Sequence, residues 1–358
     1  MTAKSSTTRP SIAAEVGTQT DTAFGPVTFV EGGLGAVAGL RSAGISAGFR
    51  RNPERRDLAL VVCDTPAVAA GVFTRSSFCA APVAVSREHL KRARLSSEHE
   101  QQVAAGQHLD ASDVVGVRAI VLNSGNANAA TGKPGHELAV RTACITAEHL
   151  GCEPHQVLVA STGVIGVPLG SAAFVSGIPL AMAELGPGGA TEADHTAALT
   201  AAQAIMTTDT YPKQAAVSFT ASQSDGEQVS YTIAGMVKGS GMIEPHMATL
   251  LGVLATDAQL TQEACEQALA LAMARTLNKV TVDSDTSTND SVYLLSTGAT
   301  PATPATPATP GTPATPATPG KTGTTATPGK TINPQCPLFA PFVEALTVLA
   351  TDLARQIA

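Results

Sequence analysis

The stretch Lys238-Gly-Ser-Gly-Met-Ile-Glu-Pro-His-Met-Ala-Thr249 carries the residue types best suited to chemistry, and it runs directly into Leu250-Leu-Gly-Val-Leu-Ala-Thr-Asp257. Small flexible residues and a proline turn precede an apolar run that reads as a buried strand, so Thr249 stands where a tight loop enters the core. A threonine hydroxyl is a poor nucleophile until a base takes its proton, and residues 238–249 offer no serine-histidine-acid order to do so. An N-terminal threonine solves the problem, because its own amine is the base. Reaching that state requires the Thr249 hydroxyl to attack the Ala248 carbonyl, shift the acyl group from nitrogen to oxygen, and let water cleave the ester. Small Ala248 and the glycines suit so contorted a peptide. From composition alone the plain alternative is a glycine-rich turn feeding a core strand.

Other segments offer supporting groups. Ser161-Thr-Gly163 follows the apolar strand Val157–Ala160, where backbone and hydroxyl donors at a strand end can point into a cleft and stabilise the oxyanion of an acyl transfer. An ordinary turn is the competing reading. The hydroxyls clustered in Thr207-Thr-Asp-Thr-Tyr-Pro-Lys213 can bind a polar amino-acid head group, or merely cap a helix end. Asp209 is expected to brace that turn.

KGSGMIEPHMATLL closely resembles the self-cleavage signature of the ornithine acetyltransferase family, the arginine-biosynthesis bifunctional glutamate N-acetyltransferases. Asn123–Gly132, Ser161–Gly166, Ile205–Thr210 and Asp283–Asp290 fit the same family in the same order. The resemblance implies an α/β ornithine acetyltransferase fold of the DmpA/ArgJ type, two packed β-sheets flanked by helices, self-cleaved into two chains. Residues 1–248 would form one piece and 249–358 the other. It implies Thr249 as nucleophile, Ala248 as the residue before the cut, Thr162 and Gly163 as the oxyanion pair, and Thr207, Lys238 and Thr249 as substrate contacts. The Lys238 ammonium would hold a substrate carboxylate. The activity implied is transfer of acetyl from N2-acetyl-L-ornithine to L-glutamate within arginine biosynthesis, through an acetyl-threonine. No cofactor is implied, although some members accept acetyl-CoA as donor. Two such two-piece protomers would assemble as a heterotetramer of two alpha and two beta chains. The alternatives are an N-terminal-nucleophile peptidase or amidohydrolase, and an inactive truncated relative.

This sequence departs from the family pattern at His246, usually asparagine, and at Ser284, usually glycine. It also stops at Ala358, where the family continues through a strand-rich segment that supplies further substrate contacts. Part of the amino-acid pocket is therefore expected to be missing.

The elements that must hold these residues read as an α/β chain. Strand signals lie at Asp57–Cys63, Ala67–Phe73, Pro82–Ser86, Val115–Leu122 and Ser291–Ser296. Helix signals run from Glu137 to Leu150 with Gly151 as C-terminal cap, from a capping box at Thr191-Glu-Ala-Asp194, and from Thr261 as N-cap to Leu277. A last amphipathic helix, Pro341 to about Ile357, places Phe342, Leu346, Leu349, Leu353 and Ile357 on one face. The Pro/Thr/Ala repeat of residues 299–330 reads as an extended surface linker. Gly33-x-Gly35-x-x-Ala38 is a thin match to a dinucleotide fingerprint, because the next strand ends in an acid about 30 residues on rather than about 20.

With 358 residues, of which 44% are hydrophobic and 14% charged, the chain can bury a large core. A net charge of −7, no tryptophan and 3% aromatic residues argue against nucleic acid as a partner. No run of residues is long and apolar enough to span a membrane, and the polar N-terminus lacks the apolar centre of a secretory signal. The six cysteines show no C-x-x-C spacing and the eight histidines no H-E-x-x-H, so reduced core thiols, no metal and a cytoplasmic setting are expected.

Overall fold

The computed structural model describes residues 13–94, 116–222, 228–240, 250–281, 287–299 and 331–358. Ten strands among them are β1 (Gln19–Thr22), β2 (Gly25–Val30), β3 (Leu40–Ile45), β4 (Leu58–Phe73), β5 (Val117–Asn126), β6 (Val157–Val164), β7 (Lys213–Ser222), β8 (Gln228–Lys238), β9 (Leu251–Thr256) and β10 (Ser291–Ser296). They join in the order β1-β2-β7-β8-β9-β10-β4-β5-β6, with β3 also paired to β4. The longer helices are α1 (Ala81–Ala93), α2 (Gly132–Leu150), α3 (Ala172–Ala183), α4 (Glu192–Ala204), α5 (Gln262–Arg275) and α6 (Phe339–Ile357).

β4 organises the layers. Its first half pairs with β3 and β5, its second half with β10, and the register shifts between Val62 and Ala67. A bulge of that kind bends a strand and strengthens its twist. The two packed sheets expected from sequence are thus the halves of one sheet, turned so that their inner faces meet. Along β4, Ala59, Val61 and Cys63 point into the shared core while Leu58, Leu60 and Val62 point outward, the alternation a strand imposes. Tyr293 of β10 and Ile120, Leu122 and Leu158 of the other half fill the space between. Helices α5 and α6 cover one outer face and α2 and α3 the other.

Two crossovers set up the site. β5 runs parallel to β6 across α2, and β9 parallel to β10 across α5, because parallel neighbours need a long connection. The C-terminal ends of β5 and β6 therefore lie side by side, as do the starts of β9 and β10.

Several sequence expectations hold. Gly151 closes α2 at φ 64°, and the Thr191 hydroxyl accepts the Asp194 N–H in a full capping box. Thr261 caps α5, which ends at Arg275 rather than Leu277, and a 3-10 turn follows at Leu277–Lys279. Phe342, Leu346, Leu349, Leu353 and Ile357 are all buried. The two strands expected on either side of residue 65 are the single strand β4. Residues 82–86 are not a strand but the start of α1: Pro82 occupies the first helical turn, where its missing N–H costs nothing, and Val83, Ser86, His89 and Ala93 then fall on one buried face. Gly33–Ala36 is a 3-10 turn rather than the opening of a nucleotide-binding helix. The 300–330 repeat lies outside the described residues. Among the described residues, no helix is long and apolar enough to cross a membrane.

α1 has a specific job on β6, the last strand of the sheet. The Ser86 hydroxyl donates to Val159 O at 2.7 Å and accepts from Val159 N at 2.8 Å, while His89 Nδ1 meets Val157 O at 2.7 Å. Burial pushes the His89 pKa below its ordinary value, keeping the ring neutral. These side chains supply partners that a neighbouring strand would otherwise provide, and the edge is closed.

Candidate active site

Thr162, beside the irregularity at Gly125/Asn126 in the β5/β6 pairing, is 5% exposed and pairs with Ser124 across that ladder. Gly163 follows at φ 132°, and a Cβ there would fall 2.3 Å from the Gly125 carbonyl carbon, so glycine alone fits. The facing half-sheet brings Lys238, the last residue of β8, to the same point. Its Nζ donates to Thr162 Oγ1 at 3.2 Å across 76 positions of sequence. An ammonium can only donate, so the Thr162 oxygen is the acceptor and its own hydrogen remains to be given elsewhere.

Lys238 is 2% exposed, and burial pushes its pKa down despite the charges of Asp209 and Asp290. Asp209 Oδ1 accepts from Lys213 Nζ at 2.6 Å and from Gly239 N at 3.0 Å, and Oδ2 accepts from Thr207 N at 2.9 Å. Burial opposes its ionisation, but the Lys213 and Thr207 hydrogen bonds and the Lys213 and Lys238 charges hold its carboxyl below the ordinary range. Asp209 thus does more than brace a turn. It ties the Thr207 segment to the backbone next to Lys238.

Asp290, immediately before β10, accepts from Leu250 N at 2.9 Å, and burial pushes its carboxyl up to about 7. Asn289 links the half-sheets: its Nδ2 donates to Ala127 O at 2.6 Å and to Ser161 O at 2.9 Å. Ser161 Oγ in turn donates to Asn123 Oδ1 at 2.6 Å.

Of the residues expected from sequence, the structure joins Thr162 and Lys238 directly, places Gly163 beside them, and attaches Thr207 through Asp209. Ala248 and Thr249 lie outside the described residues, as do His246 and Ser284. Ser240 and Leu250 are the nearest described positions on either side, and Lys238 pairs with Leu251 in the β8/β9 ladder. Sequence reasoning gave no role to Asp290, Asn289 or Lys213. The available signal was polar residues directly against a fully buried strand, as in Asn289-Asp290 before Ser291–Ser296. All six cysteines are free, and Cys63 and Cys265 are buried.

These features define an α/β protein with an ammonium, a hydroxyl and two carboxylates buried where the two halves of one sheet meet. The chain belongs to the ArgJ family, whose model matches residues 41–358. It is 42% identical over 269 residues to the arginine biosynthesis bifunctional protein ArgJ of Thermosynechococcus vestitus, covering 75% of this chain and 56% of that one. It is 38% identical over 274 residues to the chloroplastic protein of the same name from Zea mays, covering 76% of this chain and 52% of that one. The chain spans about half the length of the curated relatives it matches. Among solved structures, the argJ protein of Bacillus halodurans aligns at 32% identity with a TM-score of 0.48, over 62% of this chain and 99% of that one. An ornithine acetyltransferase from Mycobacterium tuberculosis, solved with ornithine, aligns at 30% identity and 0.46, over 63% and 100%.

Proposed function

We propose that the chain carries the acyl-transfer centre of an enzyme that moves acetyl from N2-acetyl-L-ornithine to L-glutamate in arginine biosynthesis. Cleavage between Ala248 and Thr249 frees the Thr249 amine, which serves as base for its own hydroxyl. The hydroxyl attacks the acetyl carbonyl, ornithine leaves with a proton on its nitrogen, and the glutamate amine then takes the acetyl group from the threonine ester. Thr162 and Gly163 stabilise the oxyanion in both halves of the reaction, while Thr207 and Lys238 hold substrate. The contact of Lys238 Nζ with Thr162 Oγ1 carries this reading, since it leaves the Thr162 hydrogen free to donate to an oxyanion. On the same reading the protomer is cytoplasmic and in two pieces, assembles as a heterotetramer of two alpha and two beta chains, and needs no cofactor. Acetyl-CoA as a second donor is part of the same proposal.

The test is to purify the protein, sequence the fragment ends, and incubate it with N-acetylornithine alone. A fragment beginning at Thr249 that gains an acetyl ester, and loses it to glutamate on addition, is the expected result. Intact chain after long incubation would overturn the cleavage. Acetate released at the same rate with and without glutamate would make the protein a hydrolase instead.

A further inference from the structure

The residues that lead into β10 join the two half-sheets. The Thr74 hydroxyl donates to Ser287 O at 2.6 Å and Thr74 N to Asp290 O at 2.9 Å, tying this segment to the chain just after β4. On its other side Asn289 donates to Ala127 O and to the carbonyl of Ser161, the residue before Thr162. Leu250 is then gripped twice: its N–H goes to Asp290 Oδ1 at 2.9 Å, and its carbonyl accepts Ser291 N at 2.9 Å. The residue that follows Thr249 in the chain is thus fixed relative to the oxyanion turn.

One atom of this arrangement is unused. Asp290 is 0% exposed, yet its Oδ2 meets no hydrogen-bond donor among the described residues. Leaving a buried carboxylate oxygen without a donor is costly, and such an atom in a folded protein asks for a reason. The nearest charge is that of Lys238 on β8, and Asp209, Lys213 and Arg50 act on Lys238 in turn. Burial, against the pull of the Lys238 charge, holds the Asp290 carboxyl up at about 7.

Chain connectivity supplies a donor. Only three bonds, N–Cα, Cα–C and C–N, separate the nitrogen of Thr249 from that of Leu250, so the two lie within ~4 Å of each other in any conformation. A carboxylate that holds one of two successive backbone nitrogens can reach the other with its second oxygen. While the Ala248–Thr249 peptide is intact, the Thr249 nitrogen is an amide with one hydrogen and no basicity. Once the peptide is cut, it is an amine with two hydrogens and a lone pair, and an ammonium after it takes a proton.

We propose that Asp290 is a positioning residue of the acyl-transfer centre, fixing the residue after the cut through Oδ1 and holding the freed Thr249 amine on Oδ2. This rests on the reading of Thr249 as nucleophile. An amine hydrogen given to Oδ2 leaves the lone pair for the hydroxyl. The hydroxyl proton passes to the amine nitrogen as the oxygen attacks the acetyl carbon, and the Asp290 carboxylate stabilises the ammonium that forms. The same proton then leaves on the ornithine nitrogen as the C–N bond breaks, so Asp290 itself neither gains nor loses one. Its part resembles that of a carboxylate that orients a catalytic imidazole and stabilises its cation.

Asp290→Asn in the whole protein tests it. The amide oxygen still accepts the Leu250 N–H, but the NH2 group cannot accept from an amine, so the grip is kept and the charge removed. The variant should cleave as the wild type does and keep its KM for N-acetylornithine, while kcat falls about 10-fold or more. The Thr249 amine should also lose its proton at lower pH, read as an earlier rise in its labelling by an acylating reagent, because a neighbouring carboxylate favours the ammonium and an amide does not. A residue that only braced the fold would leave that labelling curve in place. Should Asp290→Asn melt well below the wild type, Asp290→Ser takes its place, its hydroxyl still able to accept the Leu250 N–H. Both changes are required, and a cleaved variant that lacks either one overturns the role. A variant that stays intact overturns it as well, since Asp290 would then act on the peptide before the cut. Wild-type chain that stays intact, or cleaves without transferring acetyl, sinks the catalytic reading and this inference together, which tells the two failures apart.

Discussion

At the scale of residues, the site is built from pairs that sequence order hides. Thr162 and Gly163 were legible because a strand running into Ser-Thr-Gly has a recognisable form, and Lys238 because it opens the signature before Thr249. Their contact was not legible, since 76 positions and two facing half-sheets separate Thr162 from Lys238. Asp209 was visible as a turn residue, but its bond to Gly239 N exists only because β7 and β8 return the chain to the helix end. On the proposed mechanism the Thr162 hydroxyl donates to an oxyanion, so Thr162→Ala should lower acetyl transfer about 10²–10³-fold while Thr162→Ser restores most of it. An alanine variant within a few-fold of wild type would remove Thr162 from the role. Gly163→Ala should lose activity and stability together, as its Cβ meets backbone at 2.3 Å in a region of positive φ.

At the scale of elements, β4, β5, β6, β9 and β10 and the helices α2, α4, α5 and α6 followed from apolar runs, capping residues and periodicity, whereas β1, β2, β3, β7, β8 and α3 were not read from the sequence. The one segment read as the wrong element is instructive. Pro82, Val83, Ala84 and Val85 alternate like a strand over too few residues to show the longer period, and Pro82 starts a helix as readily as it ends a strand. What decided the matter lies elsewhere in the chain: β6 needs its edge closed, and only a helix there brings Ser86 and His89 to Val159 and Val157. Ser86→Ala would strand the buried Val159 N–H. It should therefore cost about 1–3 kcal/mol in chemical denaturation, against a few tenths for an exposed serine of the same helix type, such as Ser176. On the other face of the molecule, Leu349→Ala in α6 should cost about 2–5 kcal/mol by opening a cavity.

At the scale of the whole molecule, two buried acids should set the response to pH. Burial pushes Asp257 up to about 6 and Asp290 up to about 7. An unfolded aspartate ionises near ~3.9, so between that pH and those values the folded chain holds more protons than the unfolded one. Stability from these two groups then falls as pH rises from ~4 to ~7, and Asp257→Asn should flatten the fall in melting temperature over that window. An unchanged slope would show that Asp257 ionises freely in the fold. The sheet order carries one more consequence. β9 and β10 lie between β8 and β4, with six paired positions along β8 and six along β4, so strands that follow residue 249 are inserted between strands that precede it. A cut before Thr249 would yield pieces that behave as a single particle. They would share one melting transition, pass together through a sizing column, and refuse to trade partners when labelled and unlabelled protein are mixed. Each would also be a poor template for rebuilding the other after separation in denaturant, because refolding would have to thread two strands into an existing gap rather than add one at an edge.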